Sequence, residues 1–190
     1  VLDYARPTII APRPFAPPFS KFAQIPNQEL SHEYPIYYPR FLYLIPKSLF
    51  YCLTGESYRY FVGKFIEKSL NNGKFTKPDI VHALHPYLDG YGGVPIAKKL
   101  DIPLVVTVHS PNNLQICPEK VLSTLQAADK VITIAEFLKK DLINIGLPEE
   151  KVEHISLGVD PNEFKPLKLE DSKIIIQKYG ITPENIIVLY

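Results

Sequence analysis

Polar side chains follow two apolar runs of the sequence, at the points where buried strands would end. The runs are Asp79–Leu84 and Pro103–Val108. Residue types that bind or activate small polar molecules come next, namely His85, Tyr87, Asp89, Gly90, His109, Ser110 and Asn112. Because ligands bind beyond the carboxyl ends of the strands in open parallel sheets, these residues form the candidate site.

His109 is the candidate catalytic residue of this set. An imidazole at the end of a buried strand can donate to a substrate hydroxyl, accept a proton from it, or stabilise developing charge. The other six residues are candidate substrate-binding residues. A structural role for His109 stays open, because a histidine at this position can also cap its strand by bonding to a neighbouring backbone group. The spacing alone does not separate the two roles.

The sequence signatures of a metal site, a phosphate-binding loop and a nucleophile are weaker than that of the candidate site. His82, His85 and Asp89 span a strand end rather than one helix face, and no third nitrogen ligand accompanies them, so we predict no metal site. His82 is expected to be a hydrogen-bonded histidine of the core. The glycine-rich segment Asp89–Gly93 lacks the spacing of a dinucleotide-binding or phosphate-binding loop. Cys117 lacks the flanking signature of a nucleophile.

A parallel sheet would position the candidate site. Uninterrupted apolar runs such as LVVTV and KVITI are typical of strands that are covered on both faces. Predicted strands lie at Asp79–Leu84, Pro103–Val108, Lys130–Ile134 and Lys151–Ser156. Predicted helices lie from about Gly55 to Asn71 and at Val94–Leu100, Pro118–Ala128 and Glu136–Ile145. This alternation predicts an α/β fold with a doubly wound, Rossmann-like parallel sheet and right-handed crossovers.

The two ends of the chain have a less regular pattern. A short strand is predicted at Thr8–Ala11, and the proline-rich segment Pro12–Pro46 is expected to be loop and extended chain with one strand at Tyr34–Tyr38. Near the other end, the sequence predicts a helix at Glu170–Tyr179 and a strand that starts at Ile186.

The composition excludes several classes of protein. The chain has 190 residues, of which 46% are apolar and 22% charged, and it contains no unbroken apolar run of membrane-spanning length. Its net charge of +1 gives no electrostatic footprint for nucleic acid. Cys52 and Cys117 are far apart in sequence, so we predict no disulfide framework and expect a reducing, cytoplasmic setting.

Two long segments carry a resemblance to a known family. They are PDIVHALHPYLDGYGGVPIAKKLDIPLVVTVHS at Pro78–Ser110 and ADKVITIAEFLKKDLINIGLPEEKVEHISLGVDPNEFKP at Ala128–Pro166. Their motifs, in this order and spacing, resemble the N-terminal, acceptor-side domain of the family-four retaining glycosyltransferases of GT-B fold.

The resemblance implies a function and a set of partners. Such an enzyme moves a sugar from a nucleotide-sugar donor, held mainly by a second domain, to a glycan, lipid or small-molecule acceptor. It implies that His109 is the active-site histidine, which contacts the donor sugar and helps to stabilise the transition state, and that no cofactor or metal is essential. Gly158, Val159 and Asp160 match a turn of structural role. Peripheral membrane contact and homodimerisation are further candidate interactions, and no nucleic-acid partner is expected.

The sequence departs from the family pattern in ways that bear on completeness. The family's glycine-rich loop after its first strand is absent, as are two glutamates eight positions apart. We therefore expect residues 1–165 to be a Rossmann-like acceptor-binding domain that lacks its first strand–loop unit. Residues 166–190 would be a linker and the start of a truncated donor-binding domain, and this chain alone would be inactive. Ala135 and Ser156-Leu157 also replace residues that the family usually has.

Two alternatives remain beside a glycosyltransferase. One is a non-catalytic sugar-binding or scaffolding module of the same fold. The other is an unrelated nucleotide-binding α/β domain, against which the absence of any phosphate-loop fingerprint counts.

Overall fold

The computed structural model describes residues 5–15, 27–31, 34–44, 50–166, 173, 176–182 and 184–186. The chain divides into two compact units, Val1–Ser156 and Leu157–Tyr190. Of the predicted helix at Glu170–Tyr179, the described residues 173 and 176–179 are helical. The predicted strand from Ile186 lies outside the described residues beyond Ile186 itself. In the part of the chain that the structure describes, no helix combines the length and apolar character needed to cross a bilayer.

The proline-rich N-terminal segment forms short paired strands. Strand β1 (Ile9–Ile10), β2 (Arg13–Pro14), β3 (Gln28–Ser31), β4 (Tyr34–Tyr37) and β5 (Arg40–Phe41) follow one another along the chain. β4 lies between β1, to which it is parallel, and β3, to which it is antiparallel, while β2 pairs in parallel with β5.

The strands predicted at Thr8–Ala11 and Tyr34–Tyr38 are confirmed, but the loop predicted around them was too long. Its prolines did not prevent pairing, because alternate residues still donate their amides. The N–H groups of Ala11 and Arg13 donate to the carbonyls of Tyr37 and Pro39 at 2.8 and 2.9 Å. A proline carbonyl accepts like any other.

Helix α1 (Leu53–Asn71) connects this segment to the rest of the fold. Its face at Tyr58 and Val62 is buried and packs with Phe41 of β5. The helix predicted from about Gly55 to Asn71 is thus confirmed, and it begins two residues earlier, at Leu53.

The main sheet contains four parallel strands among the described residues. They are β6 (Val81–Ala83), β7 (Leu104–Val108), β8 (Lys130–Thr133) and β9 (Val152–His154), paired in that order. Helix α2 (Tyr91–Leu100), α3 (Pro118–Ala127) and α4 (Glu136–Asn144) connect them in turn. A π-helical turn, Pro86–Gly90, precedes α2, and a 3-10 turn, Pro111–Leu114, precedes α3. The predicted α/β fold with its parallel sheet is confirmed.

The two faces of this sheet are not equally covered. Ala83, Val106 and Val131 on one face are almost completely buried. On the other face His82 and Leu84 are exposed, so the expectation that the helices cover both faces was wrong for β6. The physical reason is the strand order. Successive right-handed crossovers that step in one direction across a sheet place their helices on the same side.

Cys52 and Cys117 form a disulfide, contrary to the prediction from their separation in sequence. Their Cα atoms lie 5.8 Å apart although 65 positions separate the residues along the chain. Cys52 immediately precedes α1, and Cys117 immediately precedes α3. The fold therefore brings together two helix starts that the sequence does not relate. The disulfide removes one argument for the expected reducing compartment, and the cytoplasmic location stays a prediction.

Candidate functional site

The two predicted polar clusters meet at the carboxyl edge of the main sheet. β6 and β7 are neighbours, and His85 and His109 follow their last residues by two positions and one position. The two imidazole rings lie 5.3 Å apart between centroids, with their planes at 57°. His109 is half-buried, whereas His85 is exposed. This pair can present two imidazoles to one bound molecule, one from each strand.

A third histidine lies near this pair on the open face of the sheet. The Nε2 atom of His82 is 2.8 Å from Oγ1 of Thr107, a residue of β7. His82 is hydrogen-bonded, as predicted, but it lies on an exposed strand face rather than in the core. Partial desolvation, followed by the proximity of His109, lowers the pKa of His82. The neutral form of His82 is therefore favoured beside the candidate catalytic histidine.

Two of the candidate residues in the π-helical turn make their contacts within the fold. The Tyr87 hydroxyl donates to the carbonyl of Tyr51 at 3.2 Å and accepts from the N–H of Gly55 at 3.1 Å. At Gly90, an added Cβ would lie 2.7 Å from Cγ2 of Thr124, so only glycine fits the contact between this turn and α3. Both residues are buried, and a substrate-binding role for them stays a prediction.

Asp89 is a partly buried carboxylate with two donors. The Tyr58 hydroxyl donates to Asp89 Oδ1 at 3.0 Å, and the backbone N–H of His85 also bonds to this carboxylate. Burial raises the pKa of Asp89 above its usual range, although both hydrogen bonds and the proximity of His85 act in the opposite direction. Asp89 thereby connects α1, through the Tyr58 hydroxyl, to the backbone of His85, whose ring lies beside that of His109.

The loop after β7 is organised by residues close to His109 in sequence. Ser110 is the N-cap of the 3-10 turn, and Asn113 bonds back to it in a reciprocal capping box. Asn113 Oδ1 accepts the backbone N–H groups of both His109 and Ser110. Asn112, a predicted binding residue, is exposed in the same turn.

Two surface depressions of the described residues lie away from these histidines. One, of about 410 Å³, borders Pro103 and Leu104 at the opposite edge of the sheet. Another, of about 380 Å³, lies between α1 and α2 beside Arg59 and Lys99. Among the residues that the structure describes, no three His, Cys, Asp or Glu side chains are grouped so that they could hold a metal ion.

Comparison with known proteins identifies the family. The model of Glycosyltransferase Family 4 matches residues 6–163, which is most of the chain. The chain belongs to glycosyltransferase family 4. This match covers both polar clusters and all four strands of the main sheet, so the family predicted from the sequence motifs is confirmed.

A curated relative and several solved structures resemble this family member. Sulfoquinovosyl transferase SQD2 of Arabidopsis thaliana is 28% identical over 127 residues, which cover 60% of this chain and 24% of the relative. This chain therefore aligns with only about a quarter of that protein.

The similar solved structures share the fold. The crystal structure of Anabaena HepE with UDP and glucose has a TM-score of 0.53 at 18% identity, covering 78% of this chain and 38% of that one. A sucrose-phosphate synthase chain from Thermosynechococcus elongatus has a TM-score of 0.51 at 17% identity, covering 82% of this chain and 80% of that one. These neighbours are glycosyltransferases of GT-B fold, which confirms the predicted fold class for this member of the family.

Sequence reasoning missed two bonds that organise the site. Asn113 accepts from the backbone of His109 and Ser110, and Tyr58 donates to Asp89. Only Asn113 had a recognisable signal, because Ser110 and Asn113 have the spacing of an N-terminal cap. Tyr58 lies 31 positions from Asp89, and a pairing at such a distance leaves no local pattern.

Proposed function

We propose that this chain is the acceptor-side domain of a retaining glycosyltransferase. The enzyme would move a hexosyl group from a nucleotide-sugar donor to a glycan, lipid or small-molecule acceptor. The observation that carries the proposal is the family match over residues 6–163, within which His109 follows β7 at the carboxyl edge of the sheet. The crystal structures of Anabaena HepE with UDP and with UDP-glucose support a nucleotide sugar as the donor class.

His109 is the proposed catalytic residue, because its imidazole is half-buried at the edge where a substrate would lie. In the reaction, the bond between the anomeric carbon and the diphosphate oxygen breaks, and a bond from that carbon to the acceptor oxygen forms. The proton of the acceptor hydroxyl passes to the departing diphosphate. A donor hydrogen bond from His109 to the sugar would orient it and stabilise the oxocarbenium-like transition state through preorganised polar contacts.

Three of the remaining candidates would bind the substrates around His109, and the others would support them. The His85 ring lies beside the His109 ring, and Ser110 and Asn112 lie at the turn that follows His109. Asp89 and Tyr87 would act from the layer beneath, where they fix the π-helical turn that carries His85 into place. We propose that no metal ion is needed and that a donor-binding domain completes the active site, so this chain alone would not transfer sugar.

His109→Ala tests the proposal in the full-length enzyme. With UDP-, GDP- and ADP-sugars offered in turn, we expect transfer from at least one donor with retained anomeric configuration, measured by proton NMR of the product. Loss of one preorganised donor should lower kcat by about 100-fold or more. His154→Ala, a histidine at the end of β9, is the matched control and should retain kcat. Unchanged turnover in His109→Ala would contradict the assigned role. Sugar binding without transfer in the intact protein would favour the non-catalytic module.

A further inference from the structure

The side chain of Asn113 holds the backbone at the exact place where β7 ends and the candidate catalytic residue begins. Its Oδ1 atom accepts the N–H of His109 at 3.2 Å and the N–H of Ser110 at 3.0 Å. Both donors are backbone amides, so the amide of Asn113 must present its oxygen, not its nitrogen, to them. One acceptor thus fixes two consecutive peptide groups.

We propose that Asn113 is a positioning residue for His109. The inference rests on the proposed function, in which His109 contacts the donor sugar. Asn113 bonds to the backbone of His109 rather than to its imidazole, and it therefore acts through the placement of the His109 Cα atom.

The two amides need this partner because they lie just beyond the strand. The paired register of β7 with β8 ends at Val108 and Thr133. A backbone amide that leaves a strand without a new acceptor costs free energy when it is partly buried, and His109 and Ser110 are both partly buried. Asn113 Oδ1 replaces the carbonyl that a continuing strand would have offered.

The bond is reciprocal, which makes the geometry stiff. The N–H of Asn113 bonds to Ser110, whose backbone is extended at φ −154° and ψ 159°, and Ser110 caps the 3-10 turn. The direction of the chain therefore changes sharply between Ser110 and Pro111 while His109 stays aligned with β7. A turn held on both sides fixes the backbone from which the His109 side chain extends.

The far end of the same loop is fixed independently. Cys117 immediately precedes α3 and is bonded to Cys52, which immediately precedes α1. Loss of the Asn113 side chain would therefore loosen the segment between His109 and Cys117 without releasing it from the fold. We expect a local loss of order at His109, with the main sheet intact.

Three variants of the full-length enzyme test the inference. Asn113→Ala removes the acceptor, and Asn113→Asp keeps an oxygen at the same place. Gln115→Ala changes an exposed side chain of the same loop and is the control. Two quantities are measured for each variant: kcat and KM for the donor, and the hydrogen-exchange rates of the His109 and Ser110 amides by NMR.

Asn113→Ala should lower kcat by about 10- to 100-fold with KM changed less than about threefold, since small misplacement of a catalytic group costs this much. The two amides should exchange at least about tenfold faster. Asn113→Asp should restore both amide protection and most of kcat, and Gln115→Ala should match the parent enzyme.

Several outcomes overturn the inference. Rapid exchange of both amides in the unmodified enzyme would overturn the inference, even if Asn113→Ala failed to fold. Normal exchange rates together with a normal kcat in Asn113→Ala would also overturn it. Full protection in Asn113→Asp with kcat as low as in Asn113→Ala would show that the amide touches substrate, which also contradicts a positioning role. Absence of transfer by the parent enzyme with every donor would reject the proposed function, whereas the exchange rates would still decide whether Asn113 holds the turn.

Discussion

At the scale of single residues, the carboxyl edge of the sheet carries two kinds of polar group. His85 and His109 present their rings to each other and to the edge of the sheet. Tyr87 and Asp89 instead form hydrogen bonds with α1 or with the segment before it. The second kind supports the first, because Asp89 accepts from the backbone of His85. Substitutions of the two kinds should therefore differ in whether they change turnover or stability.

Tyr58→Phe should make stability more dependent on pH. Burial holds the pKa of Asp89 in the folded protein above its value in the unfolded chain. The free energy of unfolding therefore decreases as the pH rises from the unfolded pKa through the folded pKa. Without the Tyr58 hydroxyl, the folded pKa rises further, and the added loss is largest where Asp89 is ionised. We expect a decrease of about 1–3 kcal/mol in the free energy of unfolding at pH 8 and a smaller one at pH 4.

Urea unfolding at the two pH values measures this difference. Tyr60→Phe is the matched control, because Tyr60 lies on the same helix with 57% of its surface exposed, against 6% for Tyr58. Equal losses for Tyr58→Phe at pH 4 and pH 8 would show that the Asp89 charge does not depend on this hydroxyl.

At the scale of elements, α1 and α2 approach closely where α2 begins. An added Cβ on Gly92 would lie 2.7 Å from Cδ1 of Tyr58, whose ring is buried between the helices. Gly63 lies inside α1 and has no atom within 4 Å of the corresponding position. The close packing of α1 and α2 thus requires a glycine at position 92, whereas no contact requires one at position 63.

Gly92→Ala should destabilise the protein, whereas Gly63→Ala should stabilise it. The first forces the Tyr58 ring to move, at a cost of about 1–3 kcal/mol. The second gains helix propensity without a clash, worth about 0.5–1 kcal/mol. Thermal unfolding followed by circular dichroism measures both. A lower Tm for Gly63→Ala, or an unchanged Tm for Gly92→Ala, would contradict the packing described for these helices.

At the scale of the whole molecule, the disulfide between Cys52 and Cys117 connects parts that are 65 residues apart. A cross-link of this span restricts the unfolded chain more than the folded one and typically contributes about 2–4 kcal/mol. It also joins α1, which packs on the N-terminal strands, to α3, which follows the loop of His109.

A thiol reductant should therefore lower the Tm of the parent protein. The double variant Cys52→Ser/Cys117→Ser should start from that lower Tm and should not respond to the reductant. Mass spectrometry after alkylation, with and without prior reduction, counts the free thiols. Two free thiols in the unreduced protein, or equal Tm values with and without reductant, would contradict a stabilising cross-link.

The sequence by itself determined the order of the elements, the fold class and the family. Periodic apolar residues specify α1, and continuous apolar runs specify β7 and β8, because these patterns depend on residues a few positions apart. The same local order placed His85 and His109 after strands, and parallel pairing then implies that they share one edge.

Only the tertiary structure decided which distant residues meet. The Tyr58–Asp89 hydrogen bond, the Cys52–Cys117 disulfide and the 5.3 Å approach of His85 to His109 join residues that lie between 24 and 65 positions apart. The uneven cover of the sheet, which leaves His82 exposed, likewise follows from strand order. No local pattern encodes these features, because each one depends on how separately formed elements pack against one another.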